Sequence, residues 1–125
     1  NRVNYEELQE ELIDRFGEYP DVVAYLLEIG LVKSYLDKVF VQRVERKDNK
    51  VTVQFEKVTQ RLFLAQDYFK ALSATNLKAA IAENKGLMEV VFDVRNKKDY
   101  EILEGLLIFG ESLLEIKVSK EGNSL

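Results

Sequence analysis

The chain has no cysteine and no histidine among its 125 residues. Disulfides and thiolate nucleophiles are therefore excluded, as is every catalytic arrangement in which a histidine activates a serine or cysteine. Zinc and iron sites normally depend on the same two residue types. Carboxylates could still hold calcium or magnesium, but no Asp-x-Asp-x-Asp-Gly loop occurs to arrange them. We expect no cofactor and no metal ion to bind this chain.

Long apolar runs are also lacking. No run of about 18 apolar residues occurs, so we expect no transmembrane span and no membrane contact. The acidic first residues differ from the basic start of a secretory signal peptide. A chain without cysteine is typical of a reducing compartment, and we expect a cytoplasmic location. With 125 residues, 46% of them hydrophobic, the chain is expected to form a single domain over residues 1–125 with its own core.

The single proline, Pro20, marks a break between two predicted helices. Apolar residues recur at helical spacing before it: Tyr5, Leu8, Leu12 and Phe16. This spacing predicts an amphipathic helix over residues 5–16. Gly17 can end that helix, and Pro20 fits the first turn of a new one. The apolar residues that follow predict a second helix from Pro20 to about Asp37, buried on more than one side.

Four acidic residues share the side of the first predicted helix that lies opposite its apolar stripe: Glu7, Glu11, Asp14 and Glu18. At about 100° per residue they occupy one narrow sector, and Arg15 lies at its border. Such a sector is either a solvated helix face or a docking surface for a basic partner. Neighbouring carboxylates can also act as an acid and a base, so a small acid-dependent hydrolase is a third, weaker interpretation.

From Lys38 the apolar residues alternate with a period of two instead of at helical spacing. The alternation over residues 38–46 and 50–56, with Asp48-Asn49 between them, predicts a β-hairpin. Basic residues cluster near its tip and just beyond: Arg43, Arg46, Lys47, Lys50, Lys57 and Arg61. A two-stranded basic ribbon can pair with phosphates in a DNA groove. The alternative function is therefore a nucleic-acid-associated module that uses the 38–61 hairpin, and the simpler explanation is a solubilising turn.

The rest of the chain completes an α+β pattern. It predicts a helix over residues 62–72, a hairpin that turns at residues 84–86, and a last helix capped by Asn96 that ends near Ile116. Glycines inside predicted helices, Gly30, Gly105 and Gly110, indicate elements that approach closely. Residues 1–4 and 119–125 are expected to be loose ends. The predicted fold has two N-terminal helices followed by ββαββα, with antiparallel strands covered by helices on one face.

One string in this sequence carries a family resemblance. It is Glu11-Leu12-Ile13-Asp14-Arg15-Phe16-Gly17, followed by Pro20, Val23 and Leu26-Leu27. It resembles the opening of the C-terminal domain of bacterial transcription-repair coupling factors (Mfd), which are multidomain ATP-driven DNA translocases. The resemblance extends through the order of elements to about residue 116. It implies that this chain is the C-terminal regulatory domain of a longer translocase.

The resemblance also implies a function. The corresponding domain is non-catalytic and docks on a UvrB-like module near the N-terminus of the same protein. It thereby masks the surface that recruits UvrA and keeps the translocase autoinhibited until it engages stalled RNA polymerase, which couples transcription to nucleotide excision repair. ATP, magnesium, DNA and RNA polymerase belong to other parts of the parent protein. By resemblance, the motif charges Glu11, Asp14 and Arg15, with Glu7 and Glu18 beside them, make the protein contact.

Overall fold

The computed structural model describes residues 22–123. Within this range the chain forms α1 (Val22–Lys38), β1 (Val41–Lys47), β2 (Lys50–Phe55), α2 (Thr59–Leu62), α3 (Ala65–Ser73), β3 (Lys78–Asn84), β4 (Leu87–Asp93) and α4 (Asp99–Asn123). The predicted α+β fold with antiparallel strands is confirmed. The predicted helix over residues 5–16 and the expected loose end at residues 1–4 lie outside the described residues.

The four strands form one antiparallel sheet in the order β1-β2-β4-β3. Two hairpins, β1-β2 and β3-β4, lie side by side because β2 pairs with β4, with Val51 opposite Phe92 and Val53 opposite Val90. The central strands are therefore β2 and β4, and the edges of the sheet are β1 and β3.

The sheet has one face turned toward the helices. On β2, Val51, Val53 and Phe55 are buried and alternate with the more exposed Thr52 and Gln54, as expected for a strand with one face in the core. The alternate side chains of all four strands form the opposite face, which we call the polar sheet face.

Aromatic rings at the centre of the core join the sheet to the helices. Phe109 on α4 lies edge-to-face against Phe92 of β4, with ring centroids 5.4 Å apart, and against Phe55 of β2 at 6.3 Å. Phe55 also meets Tyr68 of α3 at 5.3 Å. Such pairs contribute about 0.5–1.5 kcal/mol each beyond the area they bury. These contacts fix α3 and α4 over the two central strands.

Two of the three glycines that were predicted to lie inside helices are at positions where another element approaches closely. A Cβ on Gly105 would meet the Leu77 side chain at 2.8 Å from its Cγ, and a Cβ on Gly110 would lie 3.1 Å from the Cβ of Tyr35 on α1. The prediction of close packing is confirmed at both positions. It is not confirmed at Gly30, where no described atom lies within 4 Å of an added Cβ.

The second hairpin turn is confirmed, and its backbone explains the sequence. Lys85 and Gly86 both have positive φ, 53° and 81°, as a two-residue turn with the twist of a hairpin requires. At the first hairpin, Asp48 has φ 55°, which confirms a turn at Asp48-Asn49. The predicted start of that hairpin at Lys38 was too early. Phe40 adopts φ 64°, which separates α1 from a strand that begins at Val41.

Three other predicted boundaries need correction. The single helix over residues 62–72 is two helices, α2 and α3, because the chain is extended at Phe63 and Leu64. Asn96 has φ 63° and lies in the turn before α4, so it does not cap the helix. The last helix continues past Ile116 to Asn123, and residues 119–123 of the expected loose end are helical.

Candidate interaction surfaces

The predicted protein-contact residues precede the described part of the chain. Glu7, Glu11, Asp14, Arg15 and Glu18 all come before Val22, where α1 begins. Their assignment stays a prediction. What the structure describes is the helix that directly follows them and the domain to which that helix belongs.

The basic residues of the first hairpin do not form one patch. Lys47 and Lys50 lie directly opposite each other at the end of the hairpin, and both are exposed. Arg46, whose neighbour in register is the buried Val51, lies on the side of β1 that faces the helices. Because successive strand residues point to opposite faces, Arg46 and Lys47 diverge. The predicted cluster is thus divided between two faces of the sheet.

Arg46 has a partner within the domain. Its Nη1 donates a hydrogen bond to Oδ1 of Asp99 at 2.7 Å, in the first turn of α4. The carboxylate at that helix end is favourable with respect to the helix dipole, and the guanidinium adds an opposite charge. Arg43 lies 3.7 Å from Glu45 on its own strand, and both side chains are about half exposed. Arg46 therefore helps to hold the hairpin against α4, and Lys47 and Lys50 are the exposed lysines at the end of the hairpin.

A chain of side-chain hydrogen bonds crosses the polar sheet face. Gln42 on β1 donates to Gln54 on β2 at 2.6 Å, and Gln54 donates to Glu89 on β4 at 2.8 Å. Asn84 on the far edge strand donates to the same oxygen of Glu89 at 3.4 Å. A bulge makes this possible, because Val41 pairs with Phe55 and Arg43 with Gln54, which leaves Gln42 as the extra residue. The spacing of apolar and polar residues did not predict this network, although Glu89 within the apolar run of β4 was a signal for it.

A partly buried polar contact joins the start of α3 to the end of α4. Lys120 Nζ lies 2.6 Å from Oδ2 of Asp67 and donates to the carbonyl oxygen of Leu62 at 3.1 Å. Burial alone raises the pKa of the Asp67 carboxyl, but hydrogen bonds from Lys120 and from the Leu64 N–H, with the charges of Lys120 and Lys70, hold it below its usual value. Lys120 thus fixes the last turns of α4, a helix that was predicted to end near Ile116.

One like-charge contact lies between α1 and α4. Partial burial and then the negative charge of Glu104 on α4 raise the pKa of Glu28 on α1 above its usual value. Ionised Glu28 is therefore less favourable in the folded domain than in water.

Neither a cluster of possible metal ligands nor a membrane-spanning helix occurs among residues 22–123. Between residues 22 and 123, no group of three or more acidic side chains is placed to hold a metal. In the same range, no helix combines the length and apolar character needed to cross a bilayer.

The fold and its surfaces define a class of protein. This is a small α+β domain that presents a polar sheet face and a charged hairpin end. A family model described as the TRCF domain matches residues 1–66, the range that contains Glu11–Gly17 and Pro20. A crystal structure described as that of the C-terminal domain of transcription-repair coupling factor is 94% identical in sequence, with a TM-score of 0.77. The match covers 96% of this chain and 74% of that one.

No protein with a curated description matches this chain. The family match and the solved structure agree with each other and with the resemblance carried by the motif. This chain belongs to the TRCF domain family, as the C-terminal domain of a transcription-repair coupling factor.

Proposed function

We propose that this domain is a non-catalytic regulatory domain of an ATP-dependent DNA translocase that couples stalled transcription to nucleotide excision repair. It docks on the UvrB-like N-terminal module of the same protein and masks the surface that recruits UvrA. The observation that carries this proposal is the family match over residues 1–66, because that range contains the charged motif residues Glu11, Asp14 and Arg15. The cytoplasm is the compartment in which these partners act.

Electrostatics suits a contact of this kind. Residues 1–30 hold eight acidic and two basic residues, so the end that carries the motif can attract a basic surface. An exposed ion pair contributes about 0–1 kcal/mol, so several pairs can hold two domains together and still release them to a competitor. Autoinhibition further requires that UvrA and this domain bind overlapping surfaces of the module, since a ligand shifts an equilibrium only by its differential affinity.

The test is binding in trans. The domain is titrated into the isolated UvrB-like module by calorimetry at low and moderate salt. We expect salt-sensitive binding that is lost in Glu11→Lys/Asp14→Lys. The matched control is Glu83→Lys/Glu111→Lys, which changes the net charge equally at two exposed positions of β3 and α4.

Three outcomes contradict the proposal. Binding that is equally weakened by both double variants indicates an effect of net charge alone. Binding that survives Glu11→Lys/Asp14→Lys assigns the contact to another surface. If addition of UvrA fails to displace the domain from the module, the two do not compete.

The second candidate function is nucleic-acid binding by the first hairpin. The observation that favours it is the exposed pair Lys47 and Lys50 at the hairpin end. Arg46 is committed to Asp99, so direct binding should depend on the two lysines more than on Arg46. Fluorescence anisotropy with a labelled DNA duplex tests this, with Lys47→Glu/Lys50→Glu against Arg46→Glu. Affinity that does not change in the lysine variant contradicts this candidate.

A further inference from the structure

A row of charged residues crosses one end of the sheet on its polar face. Lys47 of β1 lies opposite Lys50 of β2. Asp93 of β4 lies between Lys50 and Lys78 of β3 and is opposite both. All four residues are exposed. At the usual strand spacing of about 4.8 Å the row is about 14 Å long, and the pairing of the two hairpins brings Lys78 into it from a distant part of the sequence.

The turn between β4 and α4 adds cations at the same end. The Val94 N–H donates to the carbonyl oxygen of Asn49 at 2.8 Å, so this turn lies against the tip of the first hairpin. The Arg95 N–H donates to Oδ1 of Asp93 at 3.0 Å, which places Arg95 beside the row. Two lysines follow it before α4 begins. We call these six cations the basic end of the sheet: Lys47, Lys50, Lys78, Arg95, Lys97 and Lys98.

The basic end carries a net positive charge in a chain whose net charge is −4. The carboxylates at this end are those of Asp48, Asp93 and Glu101, fewer than the cations. Arg46 and Asp99 lie nearby and neutralise each other. None of the six cations forms an ion pair with another residue of the described range. Their positive field is therefore open to an anion from outside the domain.

We propose that the basic end binds the phosphate backbone of a nucleic-acid duplex. Lysine is a compact point charge that pairs with phosphate, and a DNA duplex carries one negative charge per about 1.7 Å of its axis. A row of about 14 Å therefore spans about four base-pair steps of 3.4 Å. Contacts to phosphates carry no sequence information, so the binding is independent of sequence.

The surroundings of the row favour a polyanion over a folded protein partner. The next row across the same face consists of Glu45, Thr52, Val91 and Ala80. Three of these side chains are small and one is charged. Protein interfaces, in contrast, obtain most of their binding energy from large anchors such as tryptophan, tyrosine and arginine in a well-packed centre. Binding at the basic end therefore depends mainly on charge, which is the way a phosphate backbone is held.

The choice of nucleic acid as ligand rests on the second candidate function, but the site differs from the first hairpin alone. Lys78 and Arg95 lie outside that hairpin and contribute as much as Lys47 and Lys50. This equality separates the two hypotheses, because a site confined to the hairpin does not depend on Lys78 or Arg95.

The test is fluorescence anisotropy of the domain with a labelled DNA duplex over a range of salt concentrations. We expect Lys78→Gln/Arg95→Gln to weaken binding about tenfold at low salt, as Lys47→Gln/Lys50→Gln does. Each variant removes two phosphate contacts, so the slope of log affinity against log salt concentration falls by about 2. The matched control is Lys57→Gln/Lys85→Gln, two exposed lysines at the opposite end of the sheet, which should leave the slope unchanged. Circular dichroism verifies that all variants are folded.

Four results overturn the proposal. If only the Lys47/Lys50 variant weakens binding, the first hairpin binds alone and the second candidate function stands without the larger site. If the control variant weakens binding equally, the effect is one of net charge. If poly-glutamate displaces the labelled duplex as well as unlabelled duplex does at equal charge, the surface takes acidic protein. If the unchanged domain does not bind at low salt, both this site and the second candidate function fail.

Discussion

Arg46 of β1 and Asp99 of α4 lie 53 residues apart in the chain and form a hydrogen-bonded ion pair with an Nη1–Oδ1 distance of 2.7 Å. The pair joins the first hairpin to the last helix at the point where that helix begins. It also explains why the basic cluster of the hairpin is not available as a whole to an external partner.

The Arg46–Asp99 pair is expected to contribute modestly to stability. Its side chains are 47% and 29% exposed, so solvent screens the attraction, and a coupling energy of about 0.2–1 kcal/mol is expected. A double-mutant cycle of Arg46→Ala and Asp99→Ala, measured by urea unfolding, gives this number. The coupling should fall in high salt. The same cycle with Lys47→Ala in place of Arg46→Ala should give no coupling energy. A coupling energy between Lys47 and Asp99 as large as that of Arg46 and Asp99 would contradict the pairing of Arg46 with Asp99.

Gly105 is expected to be the least replaceable glycine of α4. An alanine there places its Cβ against Leu77, and the resulting overpacking should destabilise the domain by about 1–3 kcal/mol despite the better helix propensity of alanine. The free energy of urea unfolding checks this. Adding Leu77→Ala should reduce the cost of Gly105→Ala, because the clash is removed. Gly122→Ala, on the same helix with open space around its Cα, should not destabilise the domain.

The Asp67–Lys120 contact predicts a particular loss of stability in acid. The pKa of Asp67 is lowered in the folded state, so its contribution is present above the unfolded pKa and is lost as pH falls through the folded pKa. Asp67→Asn should therefore be less stable than the natural chain at pH 7, by about 1–2 kcal/mol. The gap should narrow below about pH 4. The measurement is urea unfolding of both proteins across this pH range. A difference in the free energy of unfolding that does not change with pH would contradict a role for the Asp67 carboxylate.

The raised pKa of Glu28 predicts the opposite dependence of stability on pH. The pKa of Glu28 is raised by burial and by Glu104, so its contribution is present below the unfolded pKa and is lost as pH rises through the folded pKa. Glu28→Gln should therefore raise the melting temperature at pH 7 and leave it nearly unchanged near pH 4. Glu111→Gln, an exposed position on α4, serves as the control for removing one negative charge. A rise of equal size in both variants would indicate general charge repulsion rather than the contact between α1 and α4.

Local patterns in the sequence were enough to predict the hairpins, two of the closely packed glycines and the family of this protein. Alternation with a period of two predicted the first hairpin, because β2 buries one face only and its residues therefore switch environment at each step. The turn residues Asn84-Lys85-Gly86 and the β-rich run after them predicted the second hairpin. Gly105 and Gly110 were recognisable because a glycine inside a helix is costly unless another element needs the space. The motif around Glu11 carried the family, which the matches to the TRCF domain and to the solved C-terminal domain confirm.

Tertiary structure decided what no local pattern contains. The pairing of β2 with β4 sets the strand order, and it joins segments whose contacts depend on how two hairpins meet. Phe40 takes a positive φ, which its bulky side chain disfavours, because the chain must turn there between α1 and β1. Asn96 also has a positive φ, which asparagine tolerates, in the turn before α4. The contact between Lys120 and Asp67 stabilises the last turns of α4, which continue beyond Ile116, the predicted end of the helix. The basic neighbours of Arg46 in the sequence predicted that it belongs to a nucleic-acid surface. In the fold Arg46 pairs with Asp99 instead, because adjacent strand residues face opposite sides of a sheet.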